Sequence, residues 1–539
     1  MKRNRLFLLA AMLPALASMQ AQTSYEAAAL LDTDLSGTAR YVGMGGAMSA
    51  LGADMSTMST NPAGTALYRS WDAALSFGGN WVTQRTQSNQ GRGRSFDSYG
   101  SFDNAGVVIT NKHSNNDMLR FVNFGFNYRN VKRFGGKMGM SSNLIGDYNL
   151  SQTGQMAWQA YENRAQPDLG IDGIVPEDFD INDDWSFYNR NYYRDDWVGW
   201  LTLLGADARL IDASALDGGY FLPSNANSYT EETYGGIDAY DFNLSFNLAD
   251  AVYLGATFTA YTVDRVLLSS YSEEFYGGGY TLDNYYSTVG SGYDFKLGLI
   301  LRPFEESSFR FGISATTPAV YNLRDDNYAV INSTITFDDF DENGEFIGTH
   351  VESFEMDTRS DKAAKGEANT KYTMIAPAKV NVSLGGTIGT SLALGAEYEY
   401  AGYRGIMLYD EKGNENVPMN EHTANIFNGK HTLRLGAEKT FGSFYTRLGY
   451  NYQSGGYKKD AWKWIPINSV QTNTAYTNVK ATNNFTLGVG FRGNVFYTDM
   501  ALLYSRQSAD FFPFDDPNLE ATSLSRNLVK GMMTVGMRF

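Results

Sequence analysis

The last twelve residues, Leu528 to Phe539, read LVKGMMTVGMRF and alternate in character. Val529, Met533, Val535, Met537 and Phe539 share one face; Lys530, Thr534, Gly536 and Arg538 share the other. Successive side chains of a strand point to opposite sides, so this is a strand with one apolar and one polar face. A strand of this kind ending in Phe looks like the closing strand of an outer-membrane β-barrel, an expectation the rest of the sequence can test.

The same period of two recurs along the chain. Phe242, Leu244, Phe246 and Leu248 interleave with Asn243, Ser245 and Asn247. Val252, Leu254, Ala256 and Phe258 interleave with Tyr253, Gly255, Thr257 and Thr259, and 309–314, 379–384, 433–438 and 485–492 repeat the pattern. The bulky face suits lipid and the small or polar face a lumen. Connections alternate between short and long. Short ones fall near Ala249–Asp250, Glu305–Glu306, Thr390, Phe441–Gly442 and Gly493; long ones cover 150–236, 269–289, 318–375, 404–430, 455–481 and 509–527. Outer-membrane barrels have short periplasmic turns and long external loops.

Fixing the final strand's end in the periplasm gives every other strand a direction. Taken separately, 119–130 and 135–147 make an odd count with the first strand reversed. Joined as one strand interrupted at Phe134, Gly135 and Gly136, they give about fourteen strands with both barrel ends on the periplasmic side; glycines inside strands mark such kinks, and parity favours this over the alternative of an ordinary external hairpin turn at 131–136.

Composition fits an exported barrel. Mean hydropathy is −0.34, as expected when only alternate strand residues meet lipid. No window holds the ~18 apolar residues of a spanning helix. Leu6 to Ala17, preceded by Lys2, Arg3 and Arg5, reads as a secretory signal peptide cleaved after Ala21. With no Cys there is neither a lipoprotein anchor nor a disulfide framework. The net charge of −16 argues against nucleic acid as a partner. Residues 22–70 do not alternate; they are small, polar and helix-compatible. Such a segment cannot lie in lipid with unpaired backbone, so it is expected inside the lumen as a plug, ahead of a barrel over 71–539.

Within that segment stand Gly43-Met44-Gly45-Gly46-Ala47 and then Asn61-Pro62-Ala63-Gly64. With the signal peptide, strand count and terminal Phe, these strings resemble the FadL-type family of outer-membrane transporters for hydrophobic compounds. The resemblance implies an all-β antiparallel barrel with an N-terminal helical or irregular hatch. Its hatch motif would be Gly43, Gly45, Gly46, Asn61, Pro62, Ala63 and Gly64. It also implies a lateral gate at the kinked third strand (Phe134, Gly135, Gly136). The implied function is passive transport of long-chain fatty acids or similar lipids and hydrocarbons: loop capture, hatch rearrangement and sideways exit into the bilayer. Phe539 would be an assembly signal for the barrel-assembly machinery. Other partners would be the hydrophobic ligand and membrane lipids, with the chain monomeric and free of cofactors. An apolar solute gains ~25 cal/mol per Å² on leaving water, so an aqueous channel would be a barrier to it.

Other candidates follow from the residues themselves. Trp185, Phe275 and Tyr276 are loop aromatics suited to ligand capture, or to loop cores and the aromatic girdle. Arg434, Glu438, Arg447, Glu397 and Glu399 face the lumen, where they could hold a ligand carboxylate, staple the wall or hold a plug. Arg302, Arg310, Arg492 and Arg538 are candidates for gripping the hatch. Asp339 to Gly344 resembles half a calcium loop, but His350 stands where the closing Glu is required. The four His show no Ser–His arrangement, so an enzyme is not expected. A surface adhesin with ligand-binding loops, or a general porin, is the alternative.

Overall fold

A computed structural model describes residues 22–113, 118–144, 150–166, 173–179, 193, 198–218, 222–360 and 368–539. The signal-peptide residues and Trp185 lie outside them. The alternating segments form nineteen strands in one antiparallel sheet. They are β1 (Asp72–Gln87), β2 (Arg92–Lys112), β3 (Leu119–Arg133), β4 (Gly136–Asn143), β5 (Ser224–Leu248), β6 (Val252–Phe275) and β7 (Gly278–Leu301). Then come β8 (Arg310–Thr316), β9 (Val320–Phe340), β10 (Phe346–Asp357), β11 (Ala368–Ile375), β12 (Lys379–Ile388) and β13 (Leu392–Ala401). The last are β14 (Met407–Asp410), β15 (Lys430–Phe441), β16 (Phe444–Ser454), β17 (Tyr476–Arg492), β18 (Phe496–Phe512) and β19 (Thr522–Arg538). β1 pairs with β19 from Asp72–Arg538 to Gln87–Ser523, so the sheet closes on itself.

Nineteen strands make fourteen staves. β3 and β4 both pair with β5 and are one interrupted stave. β8 and β9 likewise share β7, while β11 with β12 and β13 with β14 continue one another across their neighbours. β10 pairs only with β9 and lengthens that hairpin beyond the rim. The result is a closed antiparallel fourteen-strand barrel.

Side-chain alternation sorts the two faces as the pattern dictates. Leu254 and Phe258 are exposed outward, whereas Asn243, Ser245 and Thr257 are buried inside. The outward apolar belt ends, toward the long loops, in aromatics such as Trp81, Tyr128, Tyr240, Tyr293, Tyr398 and Tyr504. This is the banding a bilayer selects. Among the described residues no helix is long and apolar enough to cross a membrane.

Two expected external loops are strand instead. Residues 269–289 belong to the β6–β7 hairpin, which turns at Tyr276–Gly277, and 318–375 are largely β9 to β11. Their Glu, Asn and Gly content reads as loop, but Tyr271, Phe275, Tyr280, Leu282 and Tyr286 alternate inward into a buried core at the long-loop end. The segment expected as loop over 150–236 is also shorter: β5 begins at Ser224, after α3 (Gln152–Glu162) and α4 (Trp200–Asp207) have joined that core.

Candidate functional site

Residues 22–68 fold inside the barrel. Helix α1 spans Ser24–Leu31, capped by Thr23, and α2 spans Ala39–Gly43, capped by Thr38. Two 3-10 turns follow at Met55–Ser59 and Pro62–Leu67, capped by Asp54 and Asn61. Short polar residues cap these starts, and Pro62 fits the first turn because it lacks the N–H that would go unpaired there.

The barrel wall meets this segment with its own glycines. Gly385, Gly395, Gly436 and Gly449 are successive cross-strand partners on the inner face. A Cβ on the last three would overlap Ala47 O, Met44 O and Gly45 N respectively. Gly255 and Gly298 form a second pair, against Pro62–Ala63 and Asn61. Backbone therefore packs on backbone around much of the lumen. Gly45 and Gly46, at φ +63° and +81°, make the bend that fits the string 43–46 against this belt. Asn61 accepts from Ala63 N (3.1 Å) and donates to Leu299 O on the wall (3.3 Å). Asn243 donates to Pro62 O (3.2 Å), and Asn123 to Thr65 O (2.7 Å).

The five lumenal charges fall into two ion-pair groups, and Arg447 Nη2 is left without a hydrogen-bond partner. Arg40 of the inner segment pairs with Glu438 (3.0 Å), Glu438 with Arg447 (2.6 Å), and Arg447 with Asp499 (2.7 Å). Arg434 bridges Glu399 (3.1 Å) and Glu397 (3.5 Å), and Glu397 accepts from Ser49 N. Of the four arginines expected to grip the segment, Arg310 does so, donating to Leu51 O (2.9 Å). Arg492 and Arg538 bond wall carboxylates (Asp499 and Asp72), and Arg302 bonds Ser307 O and Glu305 O. Wall-facing Arg was legible from strand parity; its choice of partner was not.

The third stave carries a seam. The β2–β3 ladder runs from Lys112–Phe121 to Asn104–Arg129 and stops. Beyond it β2 pairs only with β1, and β4 only with β5. The freed edge of β4 is held by side chains instead. Thr86 Oγ1 donates to Gly139 O (2.7 Å) and Asn89 Nδ2 to Asn143 O (2.9 Å). Ser95 and Ser88 donate to Lys137 O and Ser141 O. The freed edge of β3 is held by the inner segment: Asp34 N donates to Val131 O (3.0 Å), and Arg133 N to Asp34 Oδ2 (3.2 Å). Lys132 Nζ reaches both Asp32 (2.9 Å) and Asp34 (3.1 Å), and Lys430 ties Asp32 to the facing wall (2.5 Å). Burial alone would raise both carboxyls, but Lys132 beside them holds each below its ordinary value.

At the interruption, Phe134 is buried among Val131, Tyr25, Leu30 and Leu31. Gly135 lies against the Tyr99 ring, and Gly136, at φ +149°, against the Gln84 amide. Arg129 directly follows Tyr128, which pairs with the outward Tyr240, so the seam starts at the upper aromatic girdle and runs toward the long loops. On its lumenal side is a polar cavity of about 30 Å³ touching Asp32, Asp34, Tyr99 and Lys132. Against the β1–β2 tip and β4 lies a wider groove of about 780 Å³ reaching Met138, Leu268 and Tyr285. A different break, at Pro318 and Pro377 between the pairs Val320–Ile375 and Thr316–Lys379, keeps its register, with Ala376 N bonded to Ala319 O (2.8 Å).

Phe275 is turned inward and buried among loop-side aromatics, the loop-core placement, and Tyr276 stands in solvent at the turn. The calcium-like string forms a turn in which Asp341 Oδ1 accepts from Asn343 N and Glu345 N (both 2.8 Å). Phe539 exchanges backbone hydrogen bonds with Trp71, at the closure of the barrel.

No protein-family model matches the chain, and no curated protein matches it in sequence. Solved structures do match. A monoaromatic hydrocarbon channel TodX, as a deletion mutant, superposes with TM-score 0.50 at 10% identity over 94% of this chain and all of that one. The chain has the fold of the FadL-type channels. A Pseudomonas aeruginosa FadL homologue (TM-score 0.46, 12% identity) spans 97% of this chain and 99% of its own. The P. putida toluene transporter TodX (0.45, 10%) spans 94% and 99%. At these identities the likeness concerns the fold alone.

Proposed function

We propose that the chain is a passive outer-membrane channel for hydrophobic small molecules, acting as a monomer. The observation that carries the reading is the seam. There, where β3 and β4 part from β2, the wall lacks a backbone ladder and is closed from inside by Asp34 of the inner segment and from outside by four polar side chains. In this reading external loops gather the ligand, and residues 22–36 shift. Residues 43–64 stay seated, because the glycine belt packs them backbone to backbone. Losing Asp34 frees the β3 edge, the side-chain contacts part, and an apolar molecule leaves beside the outer girdle without crossing bulk water.

Because the chain has no Cys, a lock can be installed cleanly. The double variant Ser88→Cys with Ser141→Cys should take up a fluorescent hydrocarbon normally when reduced and several-fold more slowly when oxidised. Uptake by the unmodified chain tests transport. Equal uptake by both redox forms, with the disulfide verified by mass, would reject exit through the seam.

A further inference from the structure

The outer face beside the seam carries a charge pattern that neither transport nor folding uses. Arg85, Arg92, Arg94 and Arg506 are all exposed. Side-chain parity turns them outward on β1, β2 and β18, which are separated only by β19. Arg85 lies four residues beyond Trp81, about 13 Å along a strand rising ~3.3 Å per residue, and Arg506 two beyond Tyr504. Both aromatics face outward at the level of Val529, at the edge of the apolar belt. The arginines thus stand where a bilayer's headgroups begin. Two features set them apart from an ordinary solvated face. Arg85 and Arg94 are direct cross-strand partners, an arrangement of like charges that is unfavourable unless something anionic sits between them. Among the described residues none of the four has a hydrogen-bond or ion-pair partner, although the chain carries 59 acidic residues against 43 basic ones.

We propose that this patch binds the phosphorylated headgroup of an outer-leaflet glycolipid, resting on the outer-membrane placement argued above. Guanidinium groups match phosphate oxygens two at a time. The aromatic belt beneath them suits the lipid's interfacial region. Tethering of the acyl chains in the leaflet holds the headgroup at this height, which a free anion lacks.

The test is lipid retention by the full-length protein in mild detergent, read by native mass spectrometry with diphosphoryl lipid A. The unmodified chain should retain lipid A and not its dephosphorylated form. The triple variant Arg85→Gln, Arg94→Gln, Arg506→Gln should retain at least about tenfold less, since each arginine adds a separate attraction for surface anions. The triple Lys variant keeps the charge and loses the paired contacts, so it should retain more lipid A than the Gln variant and less than the parent, and Lys371→Gln with Arg324→Gln, on the far wall, should change nothing. Retention falling steeply with salt in the unmodified chain gives the same answer should the Gln variant fold poorly. Equal retention of the dephosphorylated lipid, a Gln variant within about twofold of the parent, or displacement by equimolar inorganic phosphate would overturn the proposal. None of these outcomes bears on hydrocarbon uptake, which is measured separately.

Discussion

At the residue scale, the small residues of the lumen act through what they permit. Gly436 faces Met44 O and Gly395 faces Ala47 O so closely that a methyl group has no room on either. Both contacts are with backbone, which cannot rotate away. Gly436→Ala should therefore unseat residues 43–51, making the inner segment cleavable by added protease while the barrel stays resistant to detergent. Gly405→Ala, where nothing lies within 4 Å, should leave the digestion pattern unchanged and stability within about 0.5 kcal/mol. The sequence marked one side of this packing. Gly43 to Gly46 and Asn61 to Gly64 stand out as strings, and they are the parts that touch the wall. Their partners did not stand out, because Gly255, Gly298, Gly395 and Gly436 each look like an ordinary small residue on a lumenal face. Only the register between strands lines them up.

Elements show where periodicity stops being informative. Parity joined β3 to β4 because an odd stave count leaves one barrel end on the wrong side. Period two could not say that β2 leaves β3 at Asn104, since β2 resumes its alternation beyond a bulge there and β3 runs only four residues past Arg129. The side-chain staples from Thr86, Ser88, Asn89 and Ser95 were illegible for the same reason, as polar residues at a hairpin tip look like any solvated turn. The latch has a pH signature. Asp32 and Asp34 are held below their ordinary values when folded, so the stability they lend is fully present above the unfolded carboxylate pKa of ~3.9 and fades only as pH falls below it. His422, on α5 (Val417–Ile426) in the loop after β14, behaves differently. Burial pushes it down from 6.5 to about 4, against one bond with Trp462 O. Its neutral form is favoured by folding, so the stability is whole above ~6.5 and is lost progressively toward 4. Hydrogen exchange on lowering the pH from 7 to 4.5 should thus loosen 417–426 while 30–36 stays protected. Loosening of both together would reject the assignment of the latch to Asp32 and Asp34.

For the whole molecule, the division of the inner segment into a latch and a seat has a consequence for conductance. Residues 22–36 reach the polar cavity, the β3 edge and Lys430; residues 43–64 fill the lumen against the glycine belt. If one rigid body plugged the barrel, removing part of it would either do nothing or release everything. The contacts argue for two steps. Deleting 22–36 removes the partners of Lys132 and Lys430 and the bonds to Val131 and Arg133, so the seam should open while Arg40, Arg310 and the glycine belt keep the remainder in place. Single-channel recordings of this variant should show small, flickering openings together with faster uptake of a hydrocarbon probe. Deleting 22–64 removes the seat as well and should give a steady, much larger conductance. A shorter deletion that conducts as fully as the longer one would mean that the glycine belt does not hold the segment alone. It would also move the site of control from the seam to the lumen as a whole.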